Sequence, residues 1–208
     1  MAPGDVFDAD PDDTEAALMA ATYRALCEHG YADLTIQKIG EEFEKSTSLL
    51  YHHYDGKDEL LVAFLGFMLD RFEDDVPFED VVDPWAELQD VLDHVLAPGM
   101  DAEREELTSA MIELRAQAAH DPAYREAFSR HDRFFRDRLA AVVRDGIDRG
   151  VFRDVDPDRV AALLQTTFNG AMMQRVTTDP EDGGVPVDDV RAELEAVLED
   201  RLLQGDAE

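Results

Sequence analysis

The dipeptide Asp-Pro occurs at Asp83-Pro84, Asp121-Pro122 and Asp156-Pro157, and each copy opens an amphipathic run. Proline fits the first helical turn, where its missing N–H has no intrahelical partner, and the preceding Asp can accept from the amides that follow it. The three signals predict helices over about 84–96, 122–149 and 157–176. Elsewhere apolar residues also return every three or four positions, and no convincing stretch alternates with period two. The expected fold class is therefore all-α.

The same signals divide the rest of the chain. A first helix starts near Asp13 or Thr14, buries Ala17, Leu18, Ala21, Ala25 and Leu26, and is expected to end at Gly30. Thr35 caps a short helix through Phe43, with Ile36, Ile39 and Phe43 facing inward. Ser46 caps another through Tyr54. After "DGK" a fourth helix runs from Lys57 to about Asp74, with a broad apolar face of Leu60, Leu61, Phe64, Leu65, Met68 and Phe72. Two more are expected over about 102–119 and 187–203. The chain thus reads as a three-helix head, residues 1–56, joined by helix four to a helical body, residues 57–208.

Apolar residues make up 45% of the 208 positions, enough to bury a core. The formal charge is −30, and the carboxylates are spread over the polar positions of the helices, apart from one acidic run at Gly4–Glu15. This distribution, with Lys scarce beside Arg, resembles the surfaces of proteins from extreme halophiles. One cysteine, Cys27, excludes an internal disulfide framework; it lies on an apolar helix face and reads as core. No apolar run is long enough for a membrane span, and "MAPGDVFDADPDD" has no signal-peptide pattern, so a soluble cytoplasmic protein is expected.

The stretch "STSLLYHHYDGKDELL" concentrates hydrogen-bond donors in this acidic chain. Two short helices packed on a longer one are the layout of a helix-turn-helix DNA reader. Gly40 allows close approach of the pair, and Ile36, Ile39, Phe43, Leu50 and Tyr51 can hold their angle. Ser46, Thr47 and Ser48 put short polar side chains at a helix amino end, where backbone N–H groups favour phosphate. The segment "EHGYADLTIQKIGEEFEKSTSLLYHHYDGKDELLVAFL" resembles the head of the TetR family of transcriptional regulators over roughly the first seventy residues. It shares the Gly-Tyr step, the Thr that opens helix two, and Leu-Tyr-x-x-Tyr followed by Lys. Farther on, "DPDRVAALLQTTFNGAMMQRVTTDPE" looks like the family's penultimate helix, which contributes to dimerisation.

The resemblance implies a repressor that binds a palindromic double-stranded DNA operator as a dimer and responds to a small-molecule effector. By position, Thr35, Ile36 and Gln37 open helix two near the backbone or groove. Thr47, Ser48 and Leu49 form the groove-facing surface, Tyr51 and His53 face phosphates and Lys57 holds another, with Ser46 and His52 also among the expected DNA-binding residues. The chain departs from the family pattern in three ways. Glu44 stands where Gly is common, which requires either positive φ at roughly 1–2 kcal/mol or a different turn. Gln37 replaces a common basic residue, and Glu41, Glu42 and Glu44 add charge that DNA repels.

In the body, Phe64, Met68, Met111, Phe128, Phe135, Phe168 and Met172, with Phe134 and Met173 nearby, suit an adaptable apolar cavity, ordinary core being the alternative for each. Arg115 and His131, with Gln117 and Asn169, are polar residues beside apolar faces that could orient a ligand. Dimerisation is expected through the last two helices. The stripes are Val160, Leu163, Leu164, Thr167, Phe168 and Ala171 on one, and Val190, Leu194, Val197, Leu198 and Arg201 on the other. No phosphate loop, nucleophile elbow or His-Glu-x-x-His pair occurs, so no enzyme, catalytic residue, cofactor or resident metal is expected. His52 and His53 diverge by about 100° on a helix and cannot share a metal from one face. The alternative from another class is a helical small-molecule or metal-binding protein whose head no longer binds DNA.

Overall fold

The computed structural model describes residues 14–43, 50, 53–75, 83–97, 99, 102–179 and 183–203. These residues form eight helices: α1 (Thr14–Asp33), α2 (Ile36–Glu42), α3 (Lys57–Asp75), α4 (Pro84–Val95), α5 (Ala102–Gln117), α6 (Pro122–Asp148), α7 (Pro157–Thr177) and α8 (Val187–Leu202). No strand is present among the described residues beyond one antiparallel bridge, Phe152 with Leu203.

All three Asp-Pro starts are capped as their chemistry requires. The Asp83 carboxylate accepts from the Trp85 amide at 2.9 Å, and Asp121 from Ala123 at 2.8 Å. Asp156 accepts from Asp158 and Arg159 at 3.1 and 3.2 Å. Such caps contribute about 0.5–2 kcal/mol each. Thr35 likewise has extended dihedrals and accepts from the Lys38 amide at 3.2 Å. Gly30 ends the first helical run of α1, as expected, and a short second run follows within the same range. The glycine adopts φ 66° and ψ 161°, and the second run is closed by the Leu34 amide on the Gly30 carbonyl. A glycine reaches this conformation without the steric penalty of a Cβ, so it breaks a helix that local contacts then resume.

The chain packs as two units, residues 1–72 with 101–131, and residues 73–100 with 132–208. In the first, α1 packs on α2 and α5. Its core joins Met19 and Leu26 of α1, Ile39 of α2, Leu50, and Leu60, Phe64 and Met68 of α3 to Leu114, Tyr124 and Phe128. Gly40 is buried and Ile36 half-buried beside them. The buried Thr22 returns its hydroxyl to the Leu18 carbonyl at 2.9 Å.

The second unit gathers Leu88, Val91 and Leu92 of α4, Leu139 and Val143 of α6, Phe152, Leu164 and Phe168 of α7, and Leu194, Leu198 and Leu202 of α8. Arg191 clips α8 to α4 through Asp93 at 2.8 Å, and bonds Glu195 at 2.9 Å. After α6, Gly150 turns the chain at φ 73°, and the amides of Val151 and Phe152 return to the Gly146 carbonyl. That turn lays the Phe152 ring directly over Gly146.

The predicted dimer stripes need correction. Val160, Leu164, Phe168, Ala171, Leu194 and Leu198 are buried in the second unit's own core. Leu163 and Val197 face outward, 38% and 40% exposed. Asn169, expected beside an apolar face, is exposed. A helix that covers its own core on one side and presents uncharged residues on the other shows a broad apolar pattern, and periodicity alone cannot separate the two faces.

A methyl group at Gly146 would stand 2.0 Å from a Phe152 ring carbon, whereas one at Gly66, inside α3, meets nothing within 4 Å. Gly146→Ala is therefore expected to destabilise the protein by about 1–3 kcal/mol through overpacking. Gly66→Ala should stabilise it by about 0.4–1 kcal/mol by restricting the unfolded chain. Denaturant unfolding of both variants in one buffer checks the opposite signs.

Candidate nucleic-acid interface

The head is assembled by polar contacts around the ends of α1 and α2. Arg24 of α1 donates to the Glu42 carbonyl at 2.9 Å and pairs with its carboxylate at 3.3 Å, tying α1 to the last turn of α2. Lys38 donates to the Asp33 carbonyl at 2.8 Å, and the Gln37 amide reaches Glu41 at 3.2 Å. Two of the carboxylates that crowd the head are thus engaged within it.

Thr35 and Gln37 are exposed at the start of α2, and Ile36 is half-buried against the core. His53 is helical and exposed, its ring 6.5 Å from that of Tyr54, and the Tyr54 amide bonds the Leu50 carbonyl at 2.9 Å. Ser46, Thr47, Ser48, Leu49, Tyr51 and His52, with Glu44 and its turn, lie outside the described residues.

Lys57 is half-buried. Its ammonium donates to the Tyr31 carbonyl at 2.8 Å and lies 4.5 Å from the centre of the Tyr31 ring. The Tyr31 hydroxyl donates to Asp58 at 2.9 Å, and the Tyr31 amide donates to Glu113 of α5 at 2.6 Å. One residue therefore joins α1, α3 and α5. Sequence reasoning assigned Tyr31, Asp58 and Glu113 no role. The Gly-Tyr step was visible, but nothing in spacing links it to a carboxylate 82 positions away.

Of the residues predicted to meet a ligand, Phe64, Met68, Met111, Arg115, Phe128 and His131 lie in the first unit. Phe64, Met68 and Phe128 are buried in its core, Met111 packs against it, and the Arg115 guanidinium sits 4.4 Å over the Phe128 ring. Phe135, Phe168 and Met172 belong to the second unit, where Phe168 is buried core. A cleft of about 330 Å³ opens instead between α1 and α5, lined by Leu26, Cys27, Ala102, Glu105, Glu106, Ser109, Ala110 and Glu113. Burial pushes the Cys27 thiol up to about 11, with Glu106 and Glu113 adding to the shift against a hydrogen bond from Tyr23. At neutral pH it is a protonated thiol and a poor nucleophile. No helix among the described residues is long and apolar enough to cross a membrane, and no group of His, Cys, Asp and Glu there could hold a metal.

A capped short helix locked on a longer one, with a lysine at the start of the next helix, is the frame of a DNA-binding head. Residues 18–64 match the family model described as bacterial regulatory proteins, tetR family, and residues 84–203 match that of the BetI-type transcriptional repressor C-terminal domain. The HTH-type transcriptional repressor AcnR of Corynebacterium glutamicum is 24% identical over 174 residues, 83% of this chain and 87% of that protein. The crystal structure of a TetR transcription regulator from Haloarcula marismortui is 39% identical, with a TM-score of 0.82 over 91% of this chain and 98% of that one. A transcriptional regulator from Saccharomonospora viridis, solved in complex with choline, shares the fold at 20% identity, with a TM-score of 0.74 over 93% and 99% of the two chains. The chain belongs to the TetR family and is a DNA-binding transcriptional regulator.

Burial first, then the Asp58 carboxylate, pushes the Tyr31 phenol from its ordinary value of 10.0 to about 12. A group whose folded value is raised contributes stability that is whole below its unfolded value and lost as pH climbs through the folded one. The Tyr31 contribution should therefore be constant up to about pH 10 and fall between about pH 10 and 12. Thermal unfolding across that window should show a shallower decline for Tyr31→Phe than for the parent, since the phenylalanine has no proton to lose.

Proposed function

We propose that this regulator is a ligand-responsive repressor that binds a two-fold operator as a homodimer, in the cytoplasm of a cell with high internal salt. The functional boundary lies between Gly56 and Lys57, with the DNA-reading head before it and effector binding and dimerisation behind it. The groove-facing residues are Thr47, Ser48 and Leu49. Thr35, Ile36, Gln37, Ser46, Tyr51, His52, His53 and Lys57 lie toward the backbone. The effector is a small molecule; the cleft between α1 and α5, and not the closed core around Phe64, Met68 and Phe128, offers it open space in the first unit.

The observation that carries the dimer is the outer face of α7. From Val160 to Gln174 this heavily charged chain has no charged residue, although Ala162, Leu163, Thr166, Asn169, Gly170 and Met173 are all exposed. Val197 and Ala196 continue an uncharged exposed line on α8. A chain of charge −30 has no need to leave such a face bare to water; a second copy covering it supplies the reason, and isologous pairing gives the symmetry that matches two half-sites. Leu163→Asp combined with Met173→Asp replaces residues already 38% and 50% exposed, so the fold should survive. Light scattering should then find the parent dimeric and the variant monomeric. A monomeric parent or a dimeric variant would refute this interface.

The salt dependence of DNA binding tests the rest. The head and the start of α3 carry only three lysines, Lys38, Lys45 and Lys57, which leaves few counterions to release on binding. An ordinary reader with about six to ten phosphate contacts loses roughly 10³–10⁵ in affinity between 50 and 200 mM salt. Here specific affinity should change by less than about tenfold over that range and persist in molar potassium chloride, where screening acts within about 3 Å. Fluorescence anisotropy on duplex DNA that the protein selects from a random pool measures the slope, and a steep loss would count against uncharged readout.

A further inference from the structure

The first two residues of α3 are held by one residue of α1. Tyr31 accepts the Lys57 ammonium on its carbonyl, lies under that ammonium with its ring, and donates its hydroxyl to Asp58. What holds Tyr31 comes from outside the head. Gly30, at φ 66° and ψ 161°, turns the following peptide plane out of the helical ladder, so the Tyr31 amide needs another acceptor. Glu113 provides it at 2.6 Å, and its two carboxylate oxygens would lie 3.6 and 3.7 Å from a Cβ on Gly30. The carboxylate thus sits in contact range of a backbone kink whose positive φ favours glycine. An acceptor with full negative charge makes a stronger hydrogen bond to an amide than a neutral one.

We infer that Glu113 of α5 is a positioning residue for DNA binding. Through the Tyr31 amide it fixes where Lys57 and the start of α3 stand, and so whether the ammonium reaches phosphate. Any movement of α5 along α1 would shift the kink, the tyrosine and the lysine together. This inference rests on the assignment of Lys57 to a phosphate contact.

The test is a double-mutant cycle read by anisotropy on the duplex that the parent selects from a random pool. Glu113 is exposed, so its removal leaves no cavity. Glu113→Ala is expected to weaken binding about tenfold, the free-energy equivalent of one charge-assisted hydrogen bond. Glu113→Gln, which keeps a carbonyl acceptor, should stay within about threefold of the parent. In a Lys57→Met background the Glu113→Ala loss should disappear, because the residue through which it acts is gone. A loss of equal size in both backgrounds would mean that Glu113 merely supports the fold and would overturn the inference, as would no loss in either. If Lys57→Met alone leaves affinity unchanged, the phosphate assignment itself has failed, and the positioning role with it. Hydrogen exchange of the free protein gives a reading independent of DNA. Glu113→Ala should speed exchange of the Leu60 and Leu61 amides in the first turns of α3, whereas Glu113→Gln should not, and unchanged exchange in both counts against the inference.

Discussion

Forty-nine carboxylates against nineteen Lys and Arg leave this chain with one dominant constraint: nearly every acidic group must keep its water. An unpaired carboxylate taken into an apolar interior costs several kcal/mol, a large share of a domain's stability. The helices therefore orient themselves by where charge is absent. Each core is assembled from the uncharged faces that remain: among the described residues no charged side chain is buried, and the buried Thr22 bonds its own helix. The same constraint makes α7 informative, since a run without charge in such a chain marks either core or an interface, and α7 has uncharged residues on both its inner and its outer sides.

Against this background the few cations are spent on fixing helix ends. Arg24 ties α1 to the end of α2, Lys38 holds the carbonyl at the end of α1, and Lys57 holds that of Tyr31. Arg191 does similar work in the second unit by clipping α8 to α4. These are mostly exposed pairs, each contributing little in stability, and less still in concentrated salt. Their effect is geometric: they set angles between helices whose apolar contacts supply the energy. Such a division suits a regulator, because weak polar clips can be exchanged without unfolding either core.

On the proposed role of Lys57 as a phosphate contact, the junction at Tyr31 would organise a head with little positive charge for DNA. Its lysine is not a loose surface cation searching for phosphate. It is held on a ring and a carbonyl, at a position that depends on a helix from elsewhere in the same unit. A preplaced ammonium loses less conformational freedom on binding than a free one. That matters most where screening removes the long-range attraction on which basic readers rely.

Much of this protein was readable in one dimension. The Asp-Pro starts, the Thr35 cap and the three-to-four-residue apolar period determined the helices to within a few residues, because caps and periodicity are local chemistry that each segment carries with it. The Gly-Tyr step and the Leu-Tyr-x-x-Tyr pattern also gave the family, through residues that build the head. Three things were decided only by tertiary structure. Gly30 ends the first run of α1 as its type suggests, but the short turn beyond it forms because Glu113 and the Leu34 amide satisfy the groups that the break exposes. The outward face of α7 is Leu163 and Met173 rather than Leu164 and Phe168, since a helix with apolar residues all round does not say which side its own core will claim. And Lys57 answers to Tyr31 and Glu113, because a hydrogen bond between residues 82 positions apart leaves no trace in spacing: it exists only once folding has brought α5 against the kink.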